Sequence, residues 1–385
     1  MIQLTRPSIR RRDMDAVLSC MVTDSLGPGS LADQLTSAVG EYLGLAGGIA
    51  LRERARALSV ALDQLDLPRG AAVILDPLAP HVYHRVLFER GLEPVYVDVL
   101  DTSLCLDPDG VGRAIEKTSV SGEHVGAIVA RTALGFVPEM ESIAAFGVPI
   151  IEDISEGIGA NTGEQRLGRF GRFVLVAMEP ESVITAGGGS LLLAASKSDR
   201  ASLRRAAQEL SSDSLLPDMN AALGLTQIRE IEKFIARRAE IAAVYTRAIM
   251  RGRHHAPVQP GEAQNVFLTF PVLIEGSVGD VIAYARKKGV EATQVFTSSI
   301  LDRYGRSDHD ERAGEEEPSD PPTASVSEDG LEVGQDVRRQ EPPEIPEADF
   351  PASRSLLLRC LHFPLYPSLT AKEVATVERV LTTLP

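Results

Sequence analysis

Short, nearly continuous apolar runs alternate with longer helical patterns through the first half of the chain. AAVILD (71–76), EPVYVDV (93–99), HVGAIVA (124–130), GVPIIED (147–153) and RFVLVAM (172–178) are rich in β-branched residues and lack polar alternation. Such runs suit strands covered on both faces of a mainly parallel sheet. Between them, ARALSVALDQL (55–65), HVYHRVLFERG (81–91) and PEMESIAAFG (138–147) read as helices. This βαβ rhythm predicts a three-layer α/β domain. Residues 211–250 continue with a long helical pattern stepping through Ala222, Leu225, Ile228, Ile231 and Ile235. VFLTFPVLI (266–274), GDVIAYARKKGVEATQVF (279–296) and LTAKEVATVERVL (369–381) then predict a smaller α/β domain. The expected division is a large domain over 1–240 and a small one over 241–385.

One stretch breaks the pattern. Residues 307–348 hold six prolines and 14 acidic residues against three arginines, with hardly any large apolar side chain. That composition cannot bury enough surface to offset its ordering entropy, so an acidic disordered insertion is expected. It reads as an interaction or regulatory loop, or as a tolerated surface insertion, since lengthening a loop costs little. The insertion carries most of the net charge of −15, so the rest of the chain is near balance. No broad basic face exists to neutralise nucleic-acid phosphates.

The remaining composition excludes other classes. No apolar run reaches the roughly 18 residues of a membrane span. The opening MIQLTRPSIRRRD lacks the apolar core of a secretory signal, so a cytoplasmic location is expected. Cys20, Cys105 and Cys360 are too few and too scattered for a disulfide framework or a zinc cluster. His81 and His84 have metal-ligand spacing on a helix but no third ligand, so no metal is expected. His254 and His255 read as part of a solvated loop, and Arg10 to Arg12 as a charge cluster at a helix start.

The order of several longer segments is more specific. RPSI, GPGS and VGEYLGL open the chain; GLEPVYVDV, GFVPEMESI and GVPIIEDISEGIGA with RLGRFGRF form its centre. VITAGGGSLLL, MNAALGLTQI with FIARRAEIA, and DFPASRSLLLRCLHFPLYPSLTAKEV complete it. Together these segments resemble the DegT/DnrJ/StrS family, the fold-type-I pyridoxal phosphate (PLP) enzymes that aminate keto sugars on nucleotide carriers. The resemblance covers nearly the whole chain outside the acidic insertion. It implies a three-layer α/β/α aminotransferase large domain, a smaller C-terminal α/β domain and a homodimer.

PLP chemistry needs a lysine for the Schiff base, a carboxylate on the pyridine nitrogen and donors for the phosphate. Laid on VAMEPESVITAGGGS, the family's lysine position falls on Ser182. A serine hydroxyl cannot form the Schiff base. Of the six lysines, only Lys197 is close in sequence, and it follows the LLLAA strand. The family's phosphate-binding Ser-Gly-Thr falls on Glu53, Arg54 and Ala55, a further phosphate-side serine on Ala177, and the asparagine lent by the neighbouring subunit on Asp213. Glu53 would repel a phosphate at close range. Arg54 or Arg56 offers an anion another route. Asp153, in the place of the pyridine-nitrogen carboxylate, and Glu156 beside it are the remnants of the site; a carboxylate ending a strand also commonly caps the next turn.

On these residues the expectation is a catalytically degenerate relative of the sugar aminotransferases. It would hold no cofactor and serve a structural, regulatory or ligand-binding role in sugar, polysaccharide or glycosylated-metabolite biosynthesis. The alternative is an active PLP- or pyridoxamine phosphate (PMP)-dependent nucleotide-sugar aminotransferase or dehydratase with an atypical site. The expected partners are a second copy or an active paralogue, with a sugar nucleotide as ligand and neither nucleic acid nor membrane.

Overall fold

The computed structural model describes residues 1–163, 165–259, 261–306, 342–346 and 349–385; most of the acidic insertion lies outside the described residues. The large sheet is built from β1 (Gly47–Leu51), β2 (Ala72–Leu75), β3 (Glu93–Tyr96), β4 (Val125–Arg131), β5 (Ile150–Asp153), β6 (Phe173–Ala177) and β7 (Ser190–Ala194). Their spatial order is β1-β7-β6-β5-β4-β2-β3. From β3 to β6 every pairing is parallel, and β7 joins β6 and β1 antiparallel.

Burial explains why these strands read as unbroken apolar runs. Leu51, Val73, Leu75, Val129, Ile151, Phe173, Leu175 and Leu192 pack on one face of the sheet. Their alternating neighbours Ala50, Ala72, Ile74, Ile128, Ile150, Val174, Val176 and Leu191 pack on the other. The first face is covered by helices Arg54–Asp63 and His81–Glu89 through Leu58, Leu62, Tyr83 and Leu87. Helices Ser30–Leu43 and Asp218–Ile228 cover the second through Leu35, Val39, Leu43 and Ala221. With both faces buried, no polar period can appear; β3, at the sheet's edge, is left partly exposed. The three-layer α/β/α architecture expected from the sequence is present.

The long helical pattern over 211–250 is not one helix. It resolves into a short 3₁₀ turn at Ser212–Ser214, helix Asp218–Ile228 and helix Ile231–Ile249. Pro217 precedes the first helix, as a residue without an N–H suits a helix entrance. The two helices are separated at Arg229 and Glu230. The Glu230 carboxylate is buried and holds Arg10 at 2.7 Å and Arg12 at 2.9 Å, so charges from the N-terminus fix this break. Helix Ile231–Ile249 runs without interruption through residue 240. Its later side chains Ile241, Tyr245 and Ile249 pack with the small domain. That domain has a three-stranded antiparallel sheet of β8 (Phe270–Leu273), β9 (Thr293–Gln294) and β10 (Cys360–Phe363), with β10 central.

His254, expected in a solvated loop, is instead buried. Its Nε2 lies 3.0 Å from the Pro385 carbonyl, and its Nδ1 accepts from the Glu275 N–H. Composition around it is polar, but the chain terminus folds back over the ring. Among the described residues no helix is long and apolar enough to cross a membrane.

Candidate active site

In a parallel sheet the carboxyl ends of the strands open on one edge, where ligands bind. Here β2 ends before Asp76, β4 ends in Arg131 and β5 ends in Asp153, with Glu156 one turn further on. Arg131 is buried and donates from Nε to Asp76 Oδ2 at 2.9 Å and from Nη2 to Oδ1 at 3.1 Å. Its Nη1 lies 3.8 Å from Glu156 Oε2, which also accepts the Leu134 N–H at 2.7 Å. Burial opposes the charge of Arg131, and Asp76 and Glu156 more than compensate, so its pKa moves up.

Asp153 is buried with both oxygens engaged. Oδ2 accepts from the Tyr83 hydroxyl at 2.6 Å, and Oδ1 accepts from the Ser155 N–H at 3.0 Å and from the Ser155 hydroxyl. Ser155 Oγ in turn accepts the Ala177 N–H at 2.8 Å. A relay of polar groups thus ties the helix carrying Tyr83 to the ends of β5 and β6. Burial, then the charge of Asp153, pushes the Tyr83 hydroxyl far up, so it stays a donor.

Above these residues lies a cavity of about 280 Å³ between the two domains. The large domain contributes Arg54, Arg131, Leu134, Glu156 and Glu181; the small-domain side contributes Thr269, Phe296, Ser298, Ser299 and His362. The site residues singled out in the sequence divide accordingly. Arg54, Asp153 and Glu156 meet at this edge, since Arg54 feels the charges of Asp153 and Glu156. Glu53 is exposed at the head of helix Arg54–Asp63 and makes no side-chain cap; Ala55 packs against the core. Ala177 closes β6. Asp213 lies exposed in the 3₁₀ turn, where the Ser211 hydroxyl first of all lowers its pKa.

Ser182 sits in the turn after β6, half-buried, donating its hydroxyl to the Ala177 carbonyl at 3.3 Å. The following Gly187, Gly188 and Gly189 all have positive φ. At Gly189 a side chain would also strike Leu216, with a Cβ 2.3 Å from its Cδ1. His81 and His84 do not converge on a common point. His81 meets the Ser298 carbonyl, whereas His84 is buried between Tyr96 and the Pro343 carbonyl. Among the described residues no cluster of three His, Cys, Asp or Glu could hold a metal.

Sequence reasoning missed Asp76, Arg131 and Tyr83. Asp76 and Arg131 carried the same signal as Asp153, a charged residue closing an apolar strand. Tyr83 carried none, because its partner lies 70 residues away.

A doubly covered, mainly parallel sheet with a small C-terminal domain and an interdomain cleft at its carboxyl edge defines the aminotransferase architecture. The chain belongs to the DegT/DnrJ/EryC1/StrS aminotransferase family, which matches residues 7–323. It is 24% identical over 409 aligned positions to dTDP-4-dehydro-2,3,6-trideoxy-D-glucose 4-aminotransferase of Saccharopolyspora spinosa, covering 98% of this chain and 95% of that one. Among solved structures, the aminotransferase TlmJ of Streptoalloteichus hindustanus superposes with a TM-score of 0.78 at 19% identity, covering 99% and 98% of the two chains. Spr1654 of Streptococcus pneumoniae in its PLP form gives 0.80 at 16% identity, covering 100% and 98%.

These findings overturn the expectation of a non-catalytic protein. A sugar aminotransferase matches 98% of the chain, and the aminotransferase family matches residues 7–323. The expectation rested on Ser182, the Glu53–Ala55 triplet, Ala177 and Asp213 together, and missing groups show only what those residues cannot do. The residues present nevertheless do not fit a PLP anchored as a Schiff base. Among the described residues no lysine lines the cavity, so none is placed to form the Schiff base there.

Proposed function

We propose that the protein is an active enzyme of nucleotide-sugar amination or dehydration with an atypical site. The observation that carries this reading is the gathering of Asp76, Arg131, Asp153 and Glu156 at one sheet edge, beneath a cleft of about 280 Å³. The family and the S. spinosa relative support the reaction class. PLP or PMP would supply the amino group and an electron sink for the sugar carbon, without a Schiff base to a lysine of this cleft.

The chain's own residues bind, orient and move protons. Ser298 and Ser299 offer hydroxyl groups to a sugar's hydroxyls. Glu156 lines the cavity with its carboxylate fixed by the Leu134 N–H and by Arg131, in position to exchange a proton with a substrate oxygen or carbon. Asp76 holds Arg131 so that Glu156 keeps that orientation. The working unit is proposed to be a homodimer.

The test supplies the purified chain with a panel of keto-sugar nucleotides, glutamate or glutamine, and PLP or PMP. Products are read by mass spectrometry for exchange of the carbonyl oxygen for an amine, or for loss of water. Either product, falling at least about tenfold with Glu156→Gln, supports the reading. No product from any member of the panel overturns it.

A further inference from the structure

Arg238 sits where the chain twice passes from the large sheet to the small domain. Helix Ile231–Ile249 runs from Phe234, in the core on the second face of the large sheet, to Ile241 in the small-domain core. The segment 266–270 makes the same passage from Val266 to Phe270. Arg238 lies between Phe234 and Ile241 and is almost fully buried. Its Nη1 shares its hydrogens among the carbonyls of Phe267 at 3.1 Å, Leu268 at 2.7 Å and Leu365 at 2.9 Å. Its Nε is buried without a partner, and burial pulls its pKa down to about 10. Withdrawing a cation this far from water is costly, and an apolar side chain would serve packing alone.

What Arg238 holds leads to the cleft. Leu268 lines the cavity, and its N–H donates to the Leu134 carbonyl at 3.3 Å. The Leu134 N–H donates to Glu156 Oε2 at 2.7 Å. Three hydrogen bonds in series therefore run from the Arg238 guanidinium to the Glu156 carboxylate. The turn they cross is strained. Ala133 and Phe136 close it with paired backbone bonds, and Leu134 and Gly135 between them have φ of +55° and +94°. An L side chain resists that conformation at Leu134. Facing it, Phe267 stands at φ +52°, with its N–H taken by Asn265 Oδ1. A Cβ at Gly135 would lie 2.5 Å from that same oxygen, so the two segments meet there without room for a side chain. Strained backbone persists only where its surroundings over-determine it. For Leu134 those surroundings include its bonds to Glu156 and Leu268.

We infer that Arg238 is a positioning residue for Glu156, acting through Leu268 and the strained 133–136 turn. The inference rests on reading Glu156 as the group that exchanges a proton with the substrate. Arg131 steadies the same carboxylate from the sheet, with Nη1 at 3.8 Å, and Arg238 fixes its other contact. Small displacements of a reacting group are costly, so a clamp outside the cavity can govern the rate within it.

The experiment reads amide hydrogen exchange at Leu268 and Leu134 in the full-length protein, residue by residue, by mass spectrometry. Arg238→Met should speed exchange at both about tenfold, as expected when a hydrogen bond in the series is lost. Arg238→Lys keeps a donor and should speed it less. Arg237→Met, one position away and bonded to Leu369 and Glu240 instead, should change neither rate. Unchanged rates in Arg238→Met, acceleration at Leu268 alone, or equal acceleration in Arg237→Met each overturn the inference. If Arg238→Met does not fold, Glu156→Ala tests the series from its other end. That variant should speed exchange at Leu268, and an unchanged rate there overturns the inference too. Turnover gives a second readout: kcat should fall in Arg238→Met with KM unchanged and recover in part in Arg238→Lys, whereas a rise in KM alone counts against positioning. Because exchange is measured without substrate, its failure is separate from failure of the proposed reaction.

Discussion

Tyr83 donates its hydroxyl to Asp153 Oδ2 at 2.6 Å, joining two buried side chains 70 residues apart in the chain. The bond locks the helix His81–Glu89 onto the end of β5 and fills one face of the carboxylate. Tyr83→Phe leaves that oxygen buried without its donor, and stability should fall by about 1–3 kcal/mol. A double-mutant cycle with Asp153→Asn, followed by urea unfolding, measures the coupling directly. Additive single effects below about 0.5 kcal/mol each would show that the contact contributes nothing.

The Asp76–Arg131 pair makes the opposite kind of prediction. Both partners are almost fully buried, and Arg131 also steadies Glu156. Arg131→Met strands the Asp76 carboxylate and should cost about 3–5 kcal/mol. The double variant Asp76→Leu with Arg131→Met removes both charges and should recover much of that loss, although Glu156 loses its neighbour. Thermal melts of the three variants decide it. A double variant less stable than Arg131→Met alone would rule out desolvation as the dominant cost.

The five parallel strands were legible because all but the edge strand β3 are buried on both faces, so their apolar runs need no partner to be recognised; β1, opening with two glycines, was not read as a strand. The break at Glu230 was hidden because it depends on Arg10 and Arg12, more than 200 residues earlier. Asp153 was visible as a charge ending an apolar strand, and Asp76 and Arg131 could have been found in the same way. Tyr83 could not, since only the fold brings its hydroxyl to Asp153. The functional expectation failed for a different reason. Ser182 in place of a lysine says which step that residue cannot perform, and nothing about whether the cleft is idle.

Acid should destabilise the fold through its histidines. Burial lowers the pKa of His362 to about 4, and it also lowers those of His84 and His254. A histidine kept neutral in the folded state contributes stability above its unfolded pKa of roughly 6.5. That contribution is lost as pH falls from there toward the folded value. For His362 the loss by pH 5 is about 1–2 kcal/mol. Urea midpoints at pH 7.5 and pH 5 test this, with His362→Gln expected to flatten the dependence. A midpoint independent of pH over that range, or an identical slope in His362→Gln, would contradict it.

Composition and structure together set where the acidic insertion can be cut. The stretch 307–341 is poor in large apolar residues and should be removable with little change in melting temperature. Pro343 and Ile345 belong to a different category. The Pro343 carbonyl meets His84 Nε2 at 3.0 Å, and Ile345 is buried in the core beside Tyr83 and Phe350. Extending the deletion to residue 346 should therefore cost about 2 kcal/mol or more from lost burial and an unpaired imidazole. Equal melting temperatures for the two deletions would show that the return segment is not anchored as described.

The proposed homodimer has a visible starting point on the first helix, Arg11–Val22. Met14, Leu18, Met21 and Val22 are each at least 51% exposed and recur at helical spacing, so they form one apolar face. Ile9 and Leu26 extend it beyond the helix ends. Contiguous apolar surface of this kind marks interaction sites more often than monomer surface. The helix also carries exposed Arg11 near its start and exposed Asp24 just past its end. A two-fold axis that runs the helices antiparallel brings these opposite charges together twice. Sedimentation at micromolar concentration should show a dimer, and Leu18→Glu should shift it toward monomer by burying a charge in the apolar face. A wild-type monomer would end the homodimer proposal. A Leu18→Glu variant that stays fully dimeric would mean that the subunits meet through another surface.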